Sequence, residues 1–483
     1  MFNACTTGLA TKLRSTTQFH HTLPYTAQQL WDYHSRPGVV ARLTPGYSRM
    51  KVIKQADNLR DGLTVFDLPA PPLTWKGQHD PAAFEDGHQF RDVCKTPGLG
   101  ALSGWTHTHI FSDATPGPTT PSPQITNLFE SGAGSATITD KITTNLPAFL
   151  ATRALRPVFS YRQHQLQQDL QRGEELAALA PQPLTVAVSG ASGLVGTQVC
   201  AMLNQLGHKV IELSRHAQHD SATVRAWNPN SPSPNLLRDV DVLIHLAGHP
   251  IAGRFTEDHL DKVEGSRVGP TQKLAQLVAE TDSIKTFVCA SAVGFYGHTR
   301  PNEVDELAGV GEGRLAGVVK KWEEATHVAT AAGKRVVNVR SGLVIAGGSP
   351  LVDLLQLNVR IGGGKLGSGR QHFAWIAIDD AVDIYIRAAL DEKLRGPVNA
   401  VAPEIVTNAQ FMRQLAKVGG GFPLIPVPEV APKLLLGEDG ARELALADQN
   451  VVPNVLLDLG HRFRYPTVRS ALRHELLRER LLG

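Results

Sequence analysis

The stretch Val188-Ser-Gly-Ala-Ser-Gly-Leu-Val-Gly196 decides how most of this chain folds. It closes an unbroken apolar run that starts at Leu184 and leads straight into a helical pattern over 194–206. A buried strand passing into a helix through three glycines is the opening of a dinucleotide-binding βα unit. Gly190 permits the tight turn, Gly193 lets the backbone approach a pyrophosphate, and Gly196 allows close helix–strand packing. Ser192, Leu194 and Val195 bring backbone N–H groups to the positive end of the helix, where phosphate oxygens bind. The other reading of such a turn is a purely structural βα connection. The strand before it and the helix after it favour the dinucleotide.

Downstream, the same character repeats. HKVIELSR (208–215), DVDVLIHLAG (239–248), TFVCASAVG (286–294) and RVVNVRSGLVIAG (335–347) are short continuous apolar runs separated by helical stretches. That alternation predicts an α/β Rossmann fold, a doubly wound parallel sheet buried on both faces. The end of the second strand selects between dinucleotides. A carboxylate there holds a ribose 2′-OH, whereas a guanidinium suits a 2′-phosphate. This chain has Ser214 and Arg215 there, with no carboxylate before Asp220, so NADP(H) is expected rather than NAD. Arg215 also admits the reading of a solvated charge at a helix start.

Upstream, the pattern is different. Residues 1–172 read as β-rich with helices near the ends: Ala27–His34 is amphipathic, and Ser48–Lys54, Leu63–Leu68, His88–Val93 and Thr106–Phe111 alternate as half-buried antiparallel strands. Ala114–Pro123, rich in Pro and Thr, is expected as a surface loop. After Leu155, Phe159, Leu166 and Leu170 fall on one helical face. Residues 173–183, with Ala180-Pro-Gln-Pro183 at their end, are the expected linker. Residues 184–483 form the second domain, with a substrate portion over about 345–483.

Of 483 residues, 48 are Lys or Arg and 45 Asp or Glu, a formal net charge of +3. So balanced a charge gives no case for a nucleic-acid or anionic-membrane partner. No apolar run approaches the ~18 residues of a membrane span, and Met1–Ser15 lacks the apolar core of a signal peptide. Cys5, Cys94, Cys200 and Cys289 are widely spaced, so neither a disulfide framework nor a metal site is expected, and the expected compartment is cytoplasmic.

Residues 184–483 resemble the extended short-chain dehydrogenase/reductase superfamily, in its atypical sugar-epimerase-like branch. The resemblance runs through VSGASGLVG (188–196), HLAGHPIAG (245–253), GSRVGPTQKLA (265–275), SAVGFYG (291–297), VRSGLVIAGG (339–348), LGSGRQHFAWIAIDDAV (366–382), GPVNAVAP (396–403) and FRYP (463–466). It implies NADP contacts from Ser214, Arg215, Leu246, Ala247, Gly248, Arg267 and the Gly342–Val344 loop, Val344 included. Residues 1–172 look like a polyketide-cyclase/START-type helix-grip domain, on LPYTAQQLWDYHSRPGVVARLTP (23–45), HQFRDV (88–93), WTHTHIF (105–111), TDKI (139–142) and SYRQHQLQQDL (160–170). That resemblance implies an α+β fold with a cavity for an apolar ligand.

The superfamily's catalytic Tyr-x-x-x-Lys is missing. Only Tyr47 has a lysine four residues on, Lys51, and it lies far from the glycine turn. The helical stretch where the motif belongs, Arg314–His327, has no tyrosine. Ser291 and Tyr296 are the candidate catalytic residues that remain. Ser291 either bonds a substrate carbonyl or caps its turn; Tyr296 either donates a proton or packs beside the nicotinamide. Lys365 and Arg370 lie in a glycine-rich stretch suited to an anionic substrate group or to a mobile turn, with Trp375 beside them. Asp379 and Asp380 are expected to cap a helix starting at Ala381. His245 and His249 straddle a strand end without the glutamate of a zinc-protease helix. Two functions follow. One is an NADP-dependent oxidoreductase or epimerase-like enzyme acting on a small carbonyl or sugar-nucleotide-like compound. The other is a non-catalytic NADP(H)-binding protein coupled to an apolar ligand of the first domain. The oligomeric state is left open.

Overall fold

The computed structural model describes residues 14–69, 73–114, 128–132 and 134–482. Most of the expected loop at 114–123 lies outside the described residues. The chain forms two compact units, one from the first 177 residues together with the last seven, the other over Ala178–Leu476.

The first unit is built on seven antiparallel strands: β1 (Ser15–Leu23), β2 (Lys51–Lys54), β3 (Leu63–Asp67), β4 (Thr74–His79), β5 (Gln89–Cys94), β6 (Thr106–Asp113) and β7 (Ala136–Thr144), in the order β1-β7-β6-β5-β4-β3-β2. In β1, Thr17, Phe19, His21 and Leu23 are buried while the residues between them are exposed, the period of two that seats one face on a core. Helices α1 (Ala27–Ser35), α2 (Val39–Leu43), α3 (Leu99–Ser103) and α4 (Ala148–Ala177) complete the unit. Thr26 starts α1 with a reciprocal capping box to Gln29. The long α4 begins before the Leu155 expected from sequence. It joins the sheet through Phe159, whose ring stacks on Phe19 at 4.4 Å, and through Gln163, which donates to the His20 carbonyl at 2.8 Å. Buried Asp169 of α4 takes Arg42 Nε at 2.8 Å, Arg42 Nη2 at 2.6 Å and Tyr33 OH at 2.7 Å, tying α1 and α2 to the same helix. Residues 477–482, placed by the sequence reading with 184–483, cluster with this unit: Leu482 N donates to Gln163 Oε1 at 2.8 Å, and Leu481 packs on the Phe19, Ile142 and Phe159 cluster.

The second unit contains a seven-stranded parallel sheet of Rossmann type. Its members are β8 (Thr185–Ser189), β9 (Lys209–Ser214), β10 (Val224–Ala226), β11 (Val242–His245), β12 (Thr286–Ala292), β14 (Arg335–Ser341) and β18 (Gly396–Ala400), in the order β10-β9-β8-β11-β12-β14-β18. Short parallel pairs flank it: β13 (Thr299–Val304) with β20 (Asp448–Val451), β15 (Leu343–Ile345) with β17 (Trp375–Ala377), and β16 (Gly363–Leu366) with β19 (Ile425–Val427). The helices that bear on the site are α5 (Leu194–Gln205), α6 (Glu257–Gly265), α7 (Val268–Glu280), α8 (Arg314–Glu324), α9 (His327–Ala331), α10 (Pro350–Arg360) and α11 (Ile378–Leu390). The central strands are buried along nearly their whole length, as an apolar run without alternation predicts. One expectation is corrected. Helix α11 starts at Ile378, so Asp379 and Asp380 sit in its first turn instead of capping it, and Asp380 accepts from the backbone N–H groups of Arg464 at 2.6 Å and Tyr465 at 3.0 Å. Among the described residues, no helix is long and apolar enough to cross a membrane.

Candidate functional site

Because the strands of the second sheet are parallel, Ser189, Ser214, His245, Ala292 and Ser341 end on one edge, where open α/β sheets bind ligands. The glycine turn lies there. Gly190 has φ of +74°, and a Cβ on it would come within 2.8 Å of Ala247 N. Gly193 N donates to the Gly190 carbonyl at 3.0 Å. A Cβ on Gly196 would overlap the Gly190 carbonyl at 2.1 Å, so α5 packs on the turn only because that residue is glycine. At Gly193 the situation is the reverse. An added Cβ would meet only the Gly190 carbonyl, at 3.2 Å, and the space above the turn is open. No side chain among the described residues caps α5, which leaves the N–H groups of its first turn to a ligand. Ser192 and Leu194 are exposed beside them and Val195 is half-buried.

The other expected cofactor residues stand around this turn. Ser214 ends β9, and the exposed Arg215 follows it. Leu246 N donates to the Ser189 carbonyl at 3.1 Å, which fixes the Leu246–Gly248 loop against the turn. A Cβ on Gly248 would lie 3.0 Å from the Arg267 guanidinium carbon, so the glycine makes room for that side chain. Arg267 is buried over the Trp322 ring at 5.0 Å. Its Nε has no hydrogen-bond partner among the described residues, and burial lowers its pKa to about 10. Val344 sits in β15, just past the end of β14. Beneath the turn, Ser189 Oγ and His245 Nδ1 are 2.6 Å apart. Burial, with Arg267 nearby, pushes the His245 pKa down to about 3, so this imidazole is neutral at ordinary pH. His249 lies in the loop beyond, its backbone N–H on Ser266 Oγ at 2.9 Å.

Ser291 and Tyr296 belong to one buried polar network. Ser291 Oγ donates to Glu323 Oε1, Arg340 pairs with both Glu323 oxygens, and Arg340 Nη1 donates to Tyr296 OH at 2.9 Å. Tyr296 OH in turn donates to Asn399 Oδ1 at 2.8 Å, and burial raises its pKa. The α8 face turned to this strand end carries Leu315 and Val319, whose methyl carbons lie 3.1 and 3.8 Å from a Cβ built on Gly294. Those two side chains are four residues apart, the spacing of the missing Tyr-x-x-x-Lys. Farther along, Lys365 Nζ donates to the Ser368 carbonyl at 3.0 Å, Arg370 is exposed, and buried Trp375 donates its indole N–H to the Glu404 carbonyl at 3.1 Å.

The first unit has a cavity of its own, of about 530 Å³, between its sheet and α4. Trp75, Phe90, Trp105, Leu155 and Phe159 line it, with Asp92, His107 and His109 on its wall. This polar cluster was not singled out from sequence. The available signal was the alternation of Trp105-Thr-His-Thr-His109, which places two imidazoles on one face of a strand.

Residues 186–400 match the NAD dependent epimerase/dehydratase family, and 427–475 match a domain of unknown function, DUF1731. An epimerase family protein of Mycobacterium bovis is 35% identical over 291 residues, which cover 59% of this chain and 96% of the relative. The crystal structure of a nucleoside-diphosphate sugar epimerase from Corynebacterium glutamicum is 40% identical, with a TM-score of 0.81, covering 96% of this chain and 91% of that one. The human epimerase family protein SDR39U1, solved with NADPH, is 30% identical with a TM-score of 0.55, over 61% of this chain and 99% of its own.

Proposed function

Since the chain belongs to the epimerase family, we propose that it is a cytoplasmic NADP(H)-dependent epimerase-like enzyme or oxidoreductase acting on a small carbonyl or sugar-nucleotide-like compound. In this reading its first unit is a START-like pocket for an apolar ligand. The observation that carries the proposal is the turn: open space over Gly193, uncapped N–H groups at α5, and Ser214 with Arg215 at the end of β9. Gly190, Ser192, Gly193, Leu194, Val195 and Gly196 hold the pyrophosphate. Ser214 and Arg215 take the 2′-phosphate, and Leu246, Ala247, Gly248, Arg267 and Val344 close round the rest of the dinucleotide. Bound there, it supplies hydride chemistry. The human relative solved with NADPH agrees with the phosphate-bearing form. Lys365 and Arg370 are the proposed contacts for an anionic substrate group, beside Trp375. The three described cysteines are free and buried, which suits a reducing compartment. The START-like reading of the first unit is supported by its antiparallel sheet, its long closing helix and the cavity between them.

A second reading, a non-catalytic NADP(H)-binding protein, is favoured by one observation. The hydroxyl protons of Ser291 and Tyr296 are both given to buried protein acceptors, and the α8 face over Gly294 carries the apolar Leu315 and Val319. Calorimetric titration with NADPH and NADH tests the shared premise, and equal affinities sink it. Incubation with NADPH and a carbonyl library, followed by loss of reduced-nicotinamide absorbance, separates the two readings. Turnover supports the enzyme. Tight NADPH binding without turnover supports the second reading.

A further inference from the structure

We propose that Asp92, His107 and His109 form a binding site for a divalent transition-metal ion on the wall of the first unit's apolar cavity. The three residues come from neighbouring strands: Asp92 of β5 stands directly across from His107 of β6, and Asp140 of β7 directly across from His109. The His-x-His alternation turns both imidazoles to one face. One ligand atom from each of the three lies within 4.8 Å of the other two. The separation of His107 Nδ1 and Asp92 Oδ2 is 3.4 Å, long for a hydrogen bond. It is the edge of a tetrahedral site, because metal–ligand bonds of ~2.1 Å place two donors about 3.4 Å apart.

The outer partners that such a site needs are also present. Asp140 Oδ1 lies 2.8 Å from His107 Nε2, which orients that ring and leaves its Nδ1 on the side of Asp92; the same oxygen is 2.9 Å from His109 Nδ1, a close approach without hydrogen-bond geometry. Trp105 Nε1 donates to Asp92 Oδ1 at 3.2 Å and fixes the third ligand. Two imidazoles and one carboxylate suit Zn(II), Co(II) or Fe(II). Three protein ligands leave a position open, and all three residues line the cavity. A small molecule with an oxygen donor on an apolar body would complete the coordination there.

The test uses the full chain, stripped with a chelator and dialysed against Zn(II) or Co(II). The expected result is one equivalent of metal per chain, a visible Co(II) absorption band, and X-ray absorption of the Zn(II) form showing two imidazole shells. Asp92→Asn and His109→Gln should each lower affinity at least a hundredfold with an unchanged circular dichroism spectrum, and Asp140→Asn by ten- to a hundredfold. No bound equivalent at a tenfold excess of Zn(II) overturns the assignment. So does an equivalent that survives Asp92→Asn, which would place the ion elsewhere, for instance at the closed Asp379, His474 and Glu475 group. Should the variants fail to fold, the absorption spectrum of the native chain decides, because a shell without imidazole overturns the site by itself.

Discussion

Ser291 Oγ donates a 2.6 Å hydrogen bond to Glu323 Oε1, the same carboxylate that Arg340 holds with Nε and Nη2 at 2.8 Å each. Arg340 is 3% exposed and lies 3.6 Å from the Phe295 ring centroid, so its charge has no access to water if Glu323 is lost. Removing one partner of a buried ion pair costs about 3–5 kcal/mol, because the other is left uncompensated. Glu323→Gln should therefore lower stability by about that amount in urea unfolding. Ser291→Ala removes one bond to a charged group, about 1.5–3 kcal/mol. If the serine serves only this network, that variant will be less stable yet bind NADPH with unchanged affinity. A fall in affinity without a fall in stability would mean that Ser291 faces the ligand.

The second prediction concerns cofactor choice. Arg215 is exposed at the end of β9 and next to Ser214. Its contact with a 2′-phosphate would be charge-assisted and worth roughly 1.5–3 kcal/mol, which is about ten- to a hundredfold in affinity. Arg215→Ala should weaken NADPH by that factor and leave NADH unchanged. An equal loss for both would show that the guanidinium does not read the 2′-phosphate.

The three glycines of the turn should part ways on substitution. Gly196→Ala drives a methyl onto the Gly190 carbonyl at 2.1 Å, and Gly190→Ala meets the Ala247 backbone at 2.8 Å in a left-handed conformation, so both should destabilise the second unit. Gly193→Val fills open space instead. Its fold and melting temperature should hold while NADPH binding is lost. Normal binding by Gly193→Val would make the turn a structural connection only.

The sheet of the second unit was legible because buried parallel strands write themselves as continuous apolar runs, and the turn because Gly190 and Gly196 leave no room for a side chain. In the first unit, β2, β3, β5 and β6 lie in stretches read from their alternation. Strands β1, β4 and β7 were not singled out: the buried face of Ser15–Leu23 includes Thr17 and His21, and that of Ala136–Thr144 includes Asp140 and Thr144, which interrupts the apolar alternation of each. The Glu323–Arg340 pair had no local signal at all, since its partners come from α8 and β14, and the β12–β14 pairing that sets Ser291 beside Arg340 is a tertiary relation. The cluster on the cavity wall is of the same kind: Asp92 lies on β5 and both imidazoles on β6, and only the register sets Asp92 across from His107.

A pH prediction follows from His208. Its Nδ1 accepts from Leu184 N at 3.1 Å, and burial lowers its pKa from 6.5 to about 4. The folded pKa lies below the unfolded one, so the native state favours the neutral ring. Its contribution is complete above about pH 6.5 and is lost as pH falls toward 4, at most about 3 kcal/mol. His208→Asn keeps an acceptor without the titration, and its urea midpoint should fall less than that of the native chain between pH 7 and 5. Parallel losses in the two proteins would assign the acid sensitivity to other groups.

The last prediction concerns the end of the chain. Residues 477–482 return to the first unit, where Leu482 N donates to Gln163 Oε1 at 2.8 Å, the Arg480 carbonyl lies 2.9 Å from His164 Nε2, and Leu481 packs on Phe19, Ile142 and Phe159. Two hydrogen bonds and one partly buried leucine are together worth about 2–4 kcal/mol. A chain ending at Leu476 should lose that much from the first unit alone, a drop of about 5–15 °C in its melting transition. The two transitions can be told apart by NADPH, which stabilises only the unit that binds it and so raises only one of them. The truncated chain should bind NADPH as the full chain does, while its other transition moves down. If neither transition moves, the tail lies on the first unit without holding it together; if the NADPH-sensitive one moves, its contribution belongs to the second unit.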